Sequence, residues 1–181
     1  MADAVSEAVS DAATESLRRL GPDDAAPFQA LRLRGLLECP EAFASSHDEE
    51  ADEPLQAVAL RLAPRPDGAV FGAWRGQDLV GVLGLQRERL QKLAHKAFVW
   101  GMYVAPEARR SGVGRSLLRH ALVHASTELK VRQVTLGVNA ANRGAVELYR
   151  SEGFEVFGTE RAFLLVDGTL HDSHQMVRRT G

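Results

Sequence analysis

The segment Arg109-Arg110-Ser111-Gly112-Val113-Gly114-Arg115 sets two glycines among three arginines, where a strand-like pattern gives way to a long helical one. The first N–H groups of a helix have no intrahelical partner and the macrodipole puts partial positive charge there, so an anion belongs at that end. Glycine lets a phosphate approach the backbone closely, and the flanking arginines add charge. Arg109, Arg110, Arg115, Arg119 and Arg143 share one stretch of a chain whose formal net charge is −2. That pattern suits one small polyanion and argues against nucleic acid, which requires a general surplus of Lys and Arg. The lysine and hydroxyl residue of a nucleotide phosphate loop are missing, since Arg115-Ser116 follow Gly114. A plain turn followed by a solvated helix face is the alternative reading.

The elements that must position this loop follow from periodicity. Residues 1–13 read as a flexible tail and 14–181 as one domain. A strand is expected over Thr14–Leu20, and Gly21-Pro22-Asp23-Asp24 then opens a helix running to about Leu37. After an irregular connection, Glu38–Ser46, a second helix spans roughly Glu53–Leu62. Strands Ala69–Arg75, Leu79–Gln86 and Lys96–Val104 form a meander, the first two joined by Arg75-Gly76-Gln77-Asp78 as a hairpin. In the third, Phe98, Trp100, Met102 and Val104 fall on one face and Val99, Gly101 and Tyr103 on the other, the mark of a covered central strand. A helix over Gly112–Leu129, a buried strand Gln133–Val138 and a helix Asn142–Glu152 closed by Gly153 come next. The chain ends in a hairpin, Phe154–Val166 and Thr169–Arg178, turning at Asp167-Gly168. The fold class is therefore α/β: a mixed, mostly antiparallel sheet of six to seven strands flanked by about four helices. Gly101 and Gly137 lie inside the two central strands, where glycine marks a bulge or the close approach of a ligand.

With these elements in place, the sequence resembles the GNAT superfamily of acetyl-CoA-dependent N-acetyltransferases. Arg109, Gly112 and Gly114 match the family's pyrophosphate loop, Arg/Gln-x-x-Gly-x-Gly/Ala. Asn142, Ala145, Leu148 and Tyr149, with Gly153-Phe154, match its Asn-x-x-Ala-x-x-Leu-Tyr-x-x-x-Gly-Phe segment. Arg110 departs from the pattern, since many members have Gly there. The resemblance implies that the central strands splay around acetyl-CoA, the co-substrate. Backbone groups of Met102, Tyr103 and Val104 would pair with its pantetheine arm. Arg109, Arg110, Ser111, Gly112, Val113, Gly114 and Arg115 would hold the pyrophosphate, and Asn142 would contact the cofactor too.

Acetyl transfer to an amine requires a neutral amine, donors for the developing oxyanion and a proton for the departing sulfur. A phenol with a pKa near 10 is protonated at neutral pH and can supply that proton; the matched motif makes Tyr149 the general acid. Some members carry a Glu four positions before the residue matching Val104, where this chain has Trp100. The base is thus open among Glu41, Glu88, His95 and a water chain. Trp100 either walls the acceptor pocket, holding a cationic amine on its ring, or packs in the core. Transfer is expected by direct attack within a ternary complex, because no nucleophile is placed to carry the acetyl group: the one cysteine, Cys39, is far in sequence from either motif. A primary amine of a small molecule or protein is the expected acceptor, shaped by Glu38–Ser46, the Trp100 strand and the terminal hairpin. The alternative is a non-catalytic acyl-CoA-binding regulatory module.

No metal is expected: His120 and His124 are four apart on a helix and His171-Asp172-Ser173-His174 is clustered, but neither has the further ligands of a zinc site. No apolar run approaches the roughly 20 residues of a membrane span. The start, Met1-Ala2-Asp3-Ala4-Val5, lacks a secretory pattern, so the cytoplasm is the expected location. The terminal strands are the surface through which a homodimer would pair.

Overall fold

Strand β2, Gly68–Arg75, shows how the sheet is built. Its alternate residues Ala69, Phe71 and Ala73 belong to one buried cluster, while Val70 belongs to a second on the opposite face. Period-two alternation with apolar residues at both phases requires cover on both sides. The computed structural model describes residues 15–180, so the tail expected over 1–13 lies outside the described residues.

The remaining elements are β1 (Glu15–Arg19), α1 (Ala25–Glu38), α2 (His47–Glu50), α3 (Leu55–Leu62), β3 (Asp78–Arg87) and β4 (Lys96–Val104), followed by α4 (Val113–Thr127), β5 (Gln133–Asn139), α5 (Arg143–Ser151), β6 (Glu155–Val166) and β7 (Thr169–Arg179). The sheet has seven strands in the order β1-β2-β3-β4-β5-β7-β6. All neighbours are antiparallel except β4 and β5, which are joined by the α4 crossover and run parallel. The expected order of elements is the observed one, with the short turn of helix α2 added. Ser46 caps α2 by accepting from the Glu49 N–H while the Glu49 carboxylate accepts from the Ser46 N–H.

One face is covered by α4 and α5. Leu117, Leu118, Ala121 and Ala125 meet Leu83, Leu85, Ala97 and Val99 there, all buried. On the other face α1 and α3 place Phe28, Leu31, Leu36, Val58 and Leu62 over Val70, Val82 and Tyr103. Burying each large side chain stabilises the fold by about 1.5–3 kcal/mol. His120 and His124 sit edge-on to Phe71, with ring centroids 4.9 and 5.3 Å away, and so roof the first core. No described helix is long and apolar enough to cross a membrane.

Strand β4 departs from the alternation expected of it. Val82 pairs with Tyr103 but Gly84 pairs with Trp100, so β4 carries one extra residue between those pairs. Gly101, at φ 61°, makes that bulge in a left-handed conformation costly for any other residue. The bulge reverses the phase of the strand. Ala97 and Val99 face the α4 side before it and Met102 and Val104 after it, whereas Trp100 and Tyr103 face the α1 side. Trp100 and Met102 were expected on one face, but the inserted residue puts them on opposite faces.

Candidate functional site

The bulge sits where the sheet opens. β4 and β5 pair only through Lys96–Phe98 and Gln133–Thr135, while β5 stays in register with β7 along its whole length. Beyond Phe98 the two central strands diverge, and a cleft of about 460 Å³ occupies the gap. Its walls include Phe98–Gly101 of β4 and Gly137–Asn139 of β5, so both interior glycines border it. Gly137 forms no bulge; its register with Gln175 is unbroken.

Past the bulge, β4 offers a free edge. Ala105 donates to the Val80 carbonyl at 2.9 Å, and Tyr103 lies opposite Val82 two residues earlier. In an antiparallel ladder such residues direct their backbone groups to the partner strand, and the residues between direct theirs away. Met102 and Val104 therefore face the opening, while the Tyr103 backbone turns toward β3. The Val104 carbonyl accepts from Arg109 Nε at 2.9 Å, which folds the following loop back onto the strand. The Tyr103 side chain anchors the α1 side instead: its hydroxyl donates to Glu38 at 2.6 Å, and burial together with that carboxylate raises its pKa well above the usual range.

The loop ending in α4 has the architecture of an anion site. Arg110 and Gly112 both have positive φ, 63° and 93°. Left-handed residues in such a turn form a concave nest that points successive N–H groups inward. The N–H groups of residues 110–115 have no hydrogen-bond acceptor among the described residues; the first helical bond is Ser116 N–H to the Gly112 carbonyl at 3.0 Å. Six consecutive donors thus lie without partners at the positive end of a 15-residue helix. Among the arginines, Arg109 is turned to Val104 and Glu38, and Arg115 and Arg119 both grip Glu152 on the far end of α5. Arg110 and Arg143 make no ion pair with the described residues and remain available to an anion.

α5 brings in the second motif. Asn142 caps it, its side-chain oxygen accepting from the Ala145 N–H at 3.1 Å. Two turns on, Tyr149 is buried against Phe154, and its hydroxyl donates to Met102 Sδ at 3.4 Å. Burial pushes the phenol up to about 12, so it stays protonated at every physiological pH. Tyr149 thus reaches β4 from beneath, one residue beyond the bulge, and is not part of the cleft lining.

Of the candidate bases, Glu41 borders the cleft. Glu88 and His95 do not: Glu88 follows β3 and its N–H bonds the Lys96 carbonyl, while His95 lines a separate hollow with Arg132 and Arg179. Trp100 is a wall of the cleft, packed flat across Gly84. Sequence reasoning missed Arg32, Asn139, His171 and Asp172 as cleft residues. The His171-Asp172 pair reaches it because β7 returns beside β5. Asn139 holds that corner, donating to the Glu41 carbonyl at 3.2 Å. Arg32 carried no sequence signal. Cys39 is half-buried near Arg109 and is not a cleft residue, and no cluster of three metal-ligating side chains occurs among the described residues.

The comparisons with known proteins agree with this geometry. The family model for the acetyltransferase (GNAT) family matches residues 33–154, which span both central strands, the α4 loop and α5. The L-amino acid N-acetyltransferase AaaT of Escherichia coli is 30% identical over 118 residues, 65% of this chain and 72% of that protein. The N-alpha-acetyltransferase RimI of Mycobacterium tuberculosis is 33% identical over 132 residues, 72% of this chain and 78% of that one. The acetyltransferase yncA of Salmonella typhimurium, solved with its cofactor acetyl-CoA, superposes with a TM-score of 0.77 at 17% identity, covering 93% of this chain and 95% of that one. The chain belongs to the GNAT acetyltransferase family, and it is an acyltransferase of that family.

Proposed function

We propose that this protein transfers an acetyl group from acetyl-CoA to a primary amine bound in the cleft, by direct attack. The single observation carrying this is the row of six unpaired N–H groups at residues 110–115, adjoining the β4 edge at Met102 and Val104 that no strand covers. The loop suits a pyrophosphate and the edge suits the amides of a pantetheine arm, so the chemistry of the donor set fits an acyl-CoA. When bound, acetyl-CoA supplies the acyl group as an activated thioester.

The chain's residues then have distinct tasks. The N–H groups of 110–115, with Arg110 and Arg143, bind the pyrophosphate; Asn142 keeps its amide N–H groups for the cofactor while its oxygen caps α5. Met102 and Val104 would hold the arm through their backbone groups along β4. Tyr149 holds a proton beside Met102 and would be the donor for the departing sulfur. On the cleft side, Trp100 and Phe98 exclude water, and Glu41, His171 and Asp172 form the polar wall toward which an ammonium sheds its proton. The two curated relatives, named an L-amino acid N-acetyltransferase and an N-alpha-acetyltransferase, support transfer to an amino group.

The test pairs binding with turnover. Acetyl-CoA is expected to raise the melting temperature and ATP to leave it nearly unchanged, and thiol release is expected with at least one member of an amine panel. Equal stabilisation by the two ligands overturns the reading. Stabilisation by acetyl-CoA without turnover of any amine points instead to a regulatory acyl-CoA-binding module.

A further inference from the structure

Arg32 is a charged side chain of the cleft wall that is buried to nine-tenths, at 9% exposure. Its Nε and Nη2 donate to the two Glu50 oxygens at 3.0 and 2.8 Å, and the guanidinium lies 4.6 Å from the Phe43 ring centroid. With these contacts made, Nη1 is still buried with no hydrogen-bond partner among the described residues. A buried cationic N–H without an acceptor is destabilising, and its persistence calls for a group that completes it. The backbone beside it is Gly101, where an added Cβ would stand 3.7 Å from Nη1, so that nitrogen lies against the bulge.

We infer that Arg32 Nη1 binds the carboxylate of the acceptor, which makes the acceptor a free α-amino acid rather than a peptide N-terminus or a simple amine. The inference rests on the cleft being the amine site, as argued above. An α-amino acid carries its amine one carbon from the carboxylate. A carboxylate held by Arg32 beside Gly101 therefore sets the amine at the mouth of the β4–β5 opening. Glu41, His171 and Asp172 stand on another wall of the same cleft and complement an ammonium. Phe98, Trp100, Phe163 and Leu164 leave apolar surface for the amino-acid side chain. A peptide would have to continue from the carboxyl carbon into the wall that Arg32 and Phe43 close.

Three sets of compounds test this: L-alanine, L-leucine and L-phenylalanine, each with its amide and its decarboxylated amine, assayed by thiol release at saturating acetyl-CoA. The amino acids are expected to exceed both analogues in kcat/KM by roughly 10- to 100-fold, the scale of one charge-assisted hydrogen bond. Arg32→Lys cannot reproduce the guanidinium fork and is expected to bring the ratio of amino acid to amide close to one. Amides or amines used as well as the amino acids, no acetylation of any of the three amino acids, or an unchanged ratio in a folded Arg32→Lys protein each overturn the inference. Should the variant fail to fold, the wild-type comparison decides alone. Stabilisation by acetyl-CoA, measured separately, tells loss of this inference from loss of the functional reading beneath it.

Discussion

The Tyr149 hydroxyl donates to the Met102 sulfur at 3.4 Å, linking α5 to the strand edge immediately past the Gly101 bulge. A thioether is a weak acceptor, so the proton is held loosely by its partner while burial holds the phenol neutral. If Tyr149 is the acid for the departing sulfur, Tyr149→Phe is expected to lower kcat by about 100-fold or more, with acetyl-CoA affinity little changed. Pre-steady-state thiol release and calorimetric titration of the cofactor measure the two halves. Undiminished turnover with intact binding would remove Tyr149 from the chemistry.

The same burial predicts an alkaline instability. The unfolded phenol loses its proton near 10, whereas the folded one keeps it until about 12. Between those values the unfolded state binds fewer protons, so folding stability falls as pH rises. Tyr149's contribution is complete below pH 10 and is lost as pH approaches 12. Tyr103 shifts in the same direction and is present in both proteins, so the difference between wild type and Tyr149→Phe isolates Tyr149. Urea midpoints across that window are expected to decline more steeply in the wild type. Parallel curves would mean the phenol is not desolvated.

Arg110 departs from the glycine that the family resemblance led one to expect, and the structure shows what glycine would relieve: a φ of 63°. A non-glycine residue there costs about 1–2 kcal/mol, and glycine's greater unfolded-state entropy offsets about 0.5–1 of it. Arg110→Gly is thus expected to stabilise the free protein by up to about 1 kcal/mol, and Arg110→Ala, which keeps the strain, is not. Both variants lose one cation at the nest and are expected to bind acetyl-CoA more weakly, with a shallower salt dependence. Equal melting temperatures for the two variants would show that the backbone relaxes around residue 110.

How much of this was legible before the structure depends on the range of the interaction concerned. The loop at 109–115 and the cap at Asn142 are local, and local spacing announces them. The order of strands and helices is carried by periodicity, which the buried faces of β2, β3 and α4 preserve. The phase reversal in β4 was hidden because one glycine in an otherwise regular strand can be a packing gap or a bulge, and only pairing with β3 decides. Arg32 was invisible for a related reason. Its meaning comes from Glu50, eighteen positions on, and from a glycine on another element, neither of which helical spacing on α1 can signal. Glu88 and His95 were plausible by type, but position in the sheet puts them away from the cleft.

Gly84 shows how the bulge and the cleft depend on one contact. It lies directly opposite Trp100, and a Cβ on Gly84 would stand 2.1 Å from the indole Cε2 and 2.5 Å from two further ring atoms. The indole occupies the volume a side chain would need, which fixes Trp100 as a flat cleft wall. Gly84→Ala must expel it. Overpacking of this kind costs about 1–3 kcal/mol, and the displaced indole is expected to enter the cleft or solvent. With Trp74 replaced by Phe in both proteins, the remaining emission reports Trp100 alone and is expected to shift on introducing Gly84→Ala. KM for the amine should rise while acetyl-CoA affinity stays near wild type, because the loop at 110–115 and the edge at Met102 and Val104 lie beyond the bulge. An unshifted spectrum with an unchanged amine KM would mean that Trp100 does not shape the cleft, and that the phase reversal at Gly101 serves the cofactor edge alone.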